Sequence, residues 1–190
     1  MDTTSVSLLD RLRRQPDAQS WQQLVAIYQP WLRGWLRAHC LQTADVDDVV
    51  QEVLAVLVKE IERFEHNGRR GAFRTWLRGI VVNRLRQFRR QSAAAVSAEV
   101  QGRLDQLSDD HSKLSQLWAR DHDQHVVSQL LARIARDFQP ITWQAFRAFV
   151  LQEKTATEVA AELGISVGAV WTAKSHVLKR LRQEARDWLH

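Results

Sequence analysis

Apolar residues recur every three or four positions along most of this chain, and the strict alternation of a half-buried strand is scarce. Ser20 followed by Gln23 has the spacing of a capping box and predicts a helix start there. Pro30 is expected to kink or restart that helix, with Trp31, Leu32, Trp35 and Leu36 carrying its apolar stripe towards Leu41. Thr43 and Asp45 suit the cap of a second helix running to about Phe64. Its apolar stripe is Val46, Val49, Val50, Val53, Leu54, Leu57, Ile61 and Phe64; its other face carries Asp47, Asp48, Gln51, Glu52, Lys59 and Glu62. Gly68 and Gly71 bracket a basic loop, His66 to Ala72, and a third long helix follows from Phe73 to about Gln91.

From Ser92 the composition shifts to Ala, Ser, Gln and Asp, which predicts a tether to about His111, partly helical. Helical patterning resumes from Leu114 to Phe138, where Pro140 is expected to end it. Thr142 suits the cap of a helix through Leu151, and Thr155 or Thr157 that of one ending at Leu163. Gly164 supplies the left-handed closing residue, and Ser166 caps a last helix to about Trp188. The expected fold class is all-α, two small helical domains joined by a flexible linker: residues 1–91, a linker over 92–112, and residues 113–190.

Composition agrees with a helical chain, since there are only 7 Gly and 3 Pro in 190 residues. Lys and Arg number 27 against 22 Asp and Glu, a formal charge of +5 that suits a polyanionic partner. Cys40 is the sole cysteine, which excludes an intrachain disulfide or a cysteine-built zinc site and suits a reducing compartment. No stretch approaches the roughly 18 apolar residues of a membrane span, and residues 1–16 lack a signal-peptide core, so a soluble, cytoplasmic protein without membrane insertion is expected.

The candidate chemistry is that of binding. Residues 157–176 read as a helix-turn-helix, with small Ala160 allowing close packing, Gly164 in the turn, Ile165 filling the angle and Val170 anchoring the second helix. Trp171, Thr172, Lys174, Ser175, His176 and Lys179 are its expected outward positions, and no acidic residue lies between Glu162 and Glu184. Arg69, Arg70, Arg74, Arg78, Arg84, Arg86, Arg89 and Arg90 accumulate with no Asp or Glu between Glu65 and Glu99. Phe73, Trp76 and Phe88 are interleaved with them. Arginines that track phosphates and rings that stack on bases suit single-stranded nucleic acid, although the rings also suit a core and the arginines a solvated face. Asp47, Asp48, Gln51 and Glu52 read as a solvated helix face, a docking face for a basic partner or, less readily, a metal site. Trp118, Asp121, His122 and His125 form a further group, best read as helix surface or as packing onto the helix-turn-helix; it has too few ligands for a metal.

Residues 45–54, Asp-Val-Asp-Asp-Val-Val-Gln-Glu-Val-Leu, resemble the segment of sigma-70 type factors that docks on the clamp helices of RNA polymerase. Residues 73–90, from Phe73 to Arg90, resemble the next region of that family, which melts and reads the minus-10 promoter element. The helix-turn-helix resembles its C-terminal module, which reads the minus-35 element. Three motifs in this order over Trp21 to Trp188 are similar to the two-domain extracytoplasmic-function (ECF) group, a sigma-2-like bundle followed by a sigma-4-like domain.

The resemblance assigns core docking to Asp47, Asp48, Gln51 and Glu52. Minus-10 contacts go to Arg69, Arg70, Arg74, Trp76, Asn83, Arg84, Arg86, Gln87 and Arg90, with the 66–72 loop where the family captures an extruded base. Minus-35 contacts go to Trp171, Thr172, Lys174, Ser175, His176 and Lys179. Trp171, Ala173 and His176 stand where relatives often carry Arg or Lys. It implies as partners the polymerase core, promoter DNA as duplex and as melted non-template strand, and an anti-sigma factor. No cofactor, metal or catalytic residue is implied. The rival reading is a stand-alone helix-turn-helix repressor or activator; an enzyme has no nucleophile, metal triad or phosphate-cradling loop to support it.

Overall fold

The computed structural model describes residues 8–14, 17–40, 43–64, 71–91 and 98–189. Among these the fold is all-α, without strands: α1 (Leu8–Arg14), α2 (Ala18–His39), α3 (Thr43–Glu60), α4 (Ala72–Gln91), α5 (Ala98–Ser108), α6 (Lys113–Ile134), α7 (Pro140–Phe146), α8 (Ala156–Leu163) and α9 (Val167–Leu189). They divide into two compact units, one within Val6–Val126 and the other within Val127–Arg186. The division falls inside α6, beyond the 92–112 segment expected to separate the domains.

In the first unit α3 packs on α2 and α4, and α5 on α4. Leu24, Tyr28, Leu32 and Leu36, spaced by four, put one face of α2 into the core, and all eight apolar positions expected of the second helix are buried. Phe73, Leu77, Ile80, Val81 and Leu85 close the core from α4. Leu104 and Leu107 seat α5, and Trp118, His122 and Val126 bury the first half of α6.

The start of α2 departs from expectation. Asp17, not Ser20, is the cap: its carboxylate accepts from the Ser20 backbone N–H at 2.7 Å and from the Ser20 hydroxyl at 2.9 Å. A carboxylate reaches the free amides of a first turn and adds charge to them, so it outcompetes the hydroxyl three residues on. Pro30 lies inside a helix that runs through it, exposed on the surface. A 3-10 turn at Ile61–Arg63 closes α3.

In the second unit α6 ends in a 3-10 turn, Ala135–Asp137. Pro140 opens α7 rather than ending α6, because the first helical position needs no N–H. A π-helical turn, Arg147–Leu151, follows α7. Thr155 caps α8 in a full capping box with Glu158, Gly164 ends α8 at φ 65°, and Ser166 accepts from the Ala169 backbone N–H at 3.1 Å to open α9. Ala145, Ala148, Val159, Ala160, Val170 and Ala173 form the core where α7, α8 and α9 meet. Small side chains there let the helix backbones approach closely, as a helix-turn-helix requires.

Candidate nucleic-acid interface

On α3, Asp48 and Gln51 are exposed and Glu52 is half-buried. Asp47 reaches back to α2, where the Arg33 Nε donates to it at 2.6 Å. Both partners are largely exposed, so the pair orients the carboxylate more than it stabilises the fold. Sequence reading missed Arg33, which lies 14 residues away with no periodic relation to mark it. Asp47 and Asp48 thus sit one turn before Gln51 and Glu52 on a helix whose opposite side is committed to the core.

Helix α4 is more divided than its row of arginines suggests. Thr75, Gly79, Asn83, Arg86 and Arg90 form an exposed stripe, with Arg84 and Gln87 half-buried beside it. Arg69 and Arg70 lie outside the described residues. Gly71 sits at φ 75°, and the Arg74 guanidinium occupies the space a Cβ would fill. Phe73 is fully buried, and Trp76 is half-buried against Phe64 and Phe73, with ring centroids 4.9 and 5.6 Å away. Packing therefore accounts for these rings, while Trp76 stays partly exposed.

Several arginines of α4 are not a bare solvated face. Arg74 pairs with Asp123 of α6, and Arg78, a buried side chain, pairs with Asp110. Arg86 donates to the Ser108 hydroxyl at 2.9 Å, and Arg89 to the Gln101 carbonyl oxygen at 3.0 Å. The 98–123 segment, rich in acids and amides, supplies what a row of guanidiniums lacks within its own helix.

The Trp118, His122 and His125 group packs onto α2 and α4 of the first unit, a correction to both expected readings. Positions 118, 122 and 125 share one helix face, the spacing that marks a packing surface. Trp118 lies 4.7 Å from both Trp31 and Trp35 and donates its indole N–H to the Arg74 carbonyl at 3.2 Å. His125 stacks on Trp31 and donates from Nε2 to the Ile27 carbonyl at 2.8 Å. His122 has Nε2 2.9 Å from the Tyr28 hydroxyl and Nδ1 3.1 Å from Asp123.

Burial depresses the His122 pKa more than Asp123 raises it, and burial holds the Tyr28 phenol well above its usual range. His122 is therefore neutral: the phenol donates to Nε2, Nδ1–H donates to Asp123, and Asp123 also accepts from Arg74. Burial raises the Asp123 pKa, but hydrogen bonds from His122 and Arg74 overcome it and keep the carboxyl below its usual range. No group of three or more metal-ligating side chains occurs among the described residues.

In the second unit α9 turns Trp171, Thr172, Ser175, His176 and Lys179 outward. Lys174 is half-buried rather than free, its ammonium 5.2 Å from the centroids of both Phe149 and Trp171. Trp171 meets Phe149 edge to face at 4.8 Å and is still half exposed. The Thr172 hydroxyl donates to the Gly168 carbonyl. Ala173 is buried in the helix-turn-helix core, so a long basic side chain there would not fit, which accounts for one departure from the resemblance.

Residues 24–94 match the family model for Sigma-70 region 2, a span that takes in most of α2 and all of α3 and α4. The match covers 71 of the chain's 190 residues, and this part of the chain is similar to that region. No curated protein matches the chain. Within region 2 the acidic stripe of α3 and the basic, aromatic α4 are neighbours in one core. No helix among the described residues is long and apolar enough to cross a membrane.

Proposed function

We propose that this chain is a promoter-specificity subunit of the ECF type, which binds RNA polymerase core and directs initiation at promoters carrying minus-10 and minus-35 elements. The region 2 match carries this reading, because it falls on the helices that present opposite charges. Exposed Asp48 and Gln51, with Asp47 and Glu52 beside them, form a carboxylate face for a basic groove on core polymerase. Asn83, Arg84, Arg86, Gln87 and Arg90, with Arg69, Arg70, Arg74 and Trp76, take the melted non-template strand, where guanidiniums follow phosphates and unstacked bases meet polar edges.

The helix-turn-helix within residues 113–190 reads the minus-35 duplex through Trp171, Thr172, Lys174, Ser175, His176 and Lys179. Lys174, held over two rings, contributes charge more than a base contact, and half-exposed Trp171 offers an apolar surface to a thymine methyl. The protein works in the cytoplasm without catalytic chemistry or a cofactor. An anti-sigma partner that covers the α3 face would silence it.

Asp48→Arg and Glu52→Arg test the docking face by co-purification with core polymerase and in vitro transcription. Both are expected to lose core binding and transcription while duplex binding persists. Unchanged affinity for core would refute the assignment. A wild-type dimer indifferent to core would instead make the protein a free-standing repressor or activator.

A further inference from the structure

Helix α5 and the turn that follows it lie along the half of α4 that carries Arg78, Arg86 and Arg89. Each of these arginines meets an oxygen from the segment: Arg78 the Asp110 carboxylate, Arg86 the Ser108 hydroxyl and Arg89 the Gln101 amide oxygen. Asp105, exposed, accepts from the Gln101 amide at 2.9 Å and so adds a second carboxylate beside Arg89. Oxygen acceptors spaced along a helix and facing a row of guanidiniums reproduce what a phosphate backbone would offer the same row. The apolar seat of this segment is narrow: Leu104 and Leu107 are the buried side chains of α5 among its described positions. Arg90 stays exposed at its edge, so a nucleic acid strand meets it before the three arginines that the segment holds.

We propose that α5 with its following turn is a displaceable lid, an internal stand-in for the phosphate backbone that competes with nucleic acid for Arg78, Arg86 and Arg89. The free protein then binds single strands weakly, and a strand gains these arginines only by lifting α5. The proposal rests on the reading of α4 as a nucleic-acid face. A purely structural role for the same contacts makes the opposite prediction, since removing them would weaken the fold and leave binding unchanged or poorer.

The test measures binding of a fluorescent single-stranded 20-mer of mixed sequence to the full chain by anisotropy at low salt. Asp105→Asn/Asp110→Asn removes the two carboxylates. It is expected to tighten binding roughly four- to twenty-fivefold, since each carboxylate removed from beside the arginines is worth a factor of about two to five. Glu62→Gln/Glu153→Gln changes the net charge by the same amount at exposed residues outside α5 and its turn and controls for charge alone. Leu104→Ser/Leu107→Ser loosens the seat without changing charge and is expected to tighten binding at least as much; if it fails to fold, the carboxylate variant decides. Lid variants that bind measurably but no better than wild type or the control overturn the lid and leave the α4 reading standing. Lid variants that, like wild type, bind no strand overturn both.

Discussion

The buried polar chain Tyr28–His122–Asp123–Arg74 permits a sharp test, because Tyr28 and His122 meet in one core although 94 residues apart. Tyr28→Phe keeps the ring and removes the hydroxyl, which leaves the fully buried His122 Nε2 without its 2.9 Å donor. An unsatisfied acceptor at such depth costs about 1–3 kcal/mol. His122→Phe takes the acceptor from the phenol and breaks the link to Asp123, with a cost of the same order. Removing both polar ends together leaves two apposed rings, already 5.8 Å apart, so the double variant should cost less than the sum of the singles by about 1–2 kcal/mol.

The assay is urea unfolding followed by tryptophan fluorescence. A loss of about 1–2 kcal/mol moves the midpoint by roughly 0.5–1 M at the usual slope for a small domain. The pH dependence has a definite sign. An imidazole in the unfolded chain takes up a proton near pH 6.5, whereas burial keeps His122 neutral to lower pH. Below about pH 6.5 the unfolded chain therefore binds more protons, and wild-type stability falls as pH falls towards the depressed folded pKa. His39 and His125 shift the same way, chiefly through burial, so they contribute to the same decline. His122→Phe should lose less stability between pH 7 and pH 5 than wild type does. Strictly additive single variants, or an unchanged pH slope in His122→Phe, would refute the neutral, hydrogen-bonded assignment.

Lys179, exposed on α9, should act as a phosphate contact: Lys179→Ala is expected to weaken duplex binding evenly across sequences and to lower the salt slope by about 0.9, read from affinities between 50 and 200 mM salt. Burial pushes the Cys40 thiol up to about 11 against smaller opposing effects of Arg103 and Arg89, so an aromatic disulfide reagent at pH 8 should label it slowly in the folded chain and quickly in urea.

Local regularities carried most of the architecture into view. Helical periodicity marks α3 and α4 because each buries a stripe set by residues three and four apart, and Gly164 and Ser166 mark the turn into α9 because those tasks are local. The errors were local competitions with close outcomes: a carboxylate at Asp17 against a hydroxyl at Ser20, and Pro140 as a start rather than a stop. The acidic stripe of α3 and the outward face of α9 were equally legible, since amphipathic spacing alone says which side chains the core excludes.

Partnership across the chain was not legible. The sequence alone determined an all-helical chain, its two charge-bearing helices in the first unit and a helix-turn-helix in the second. Only the tertiary structure decided that Arg74 and Arg78 meet Asp123 and Asp110, that Lys174 rests on Phe149 and Trp171, and that Trp118 and His122 belong to the first unit's core. Helical period constrains which face a residue occupies but not which element covers that face. Long-range ion pairs and ring contacts depend on that second choice, which the packing of whole helices makes.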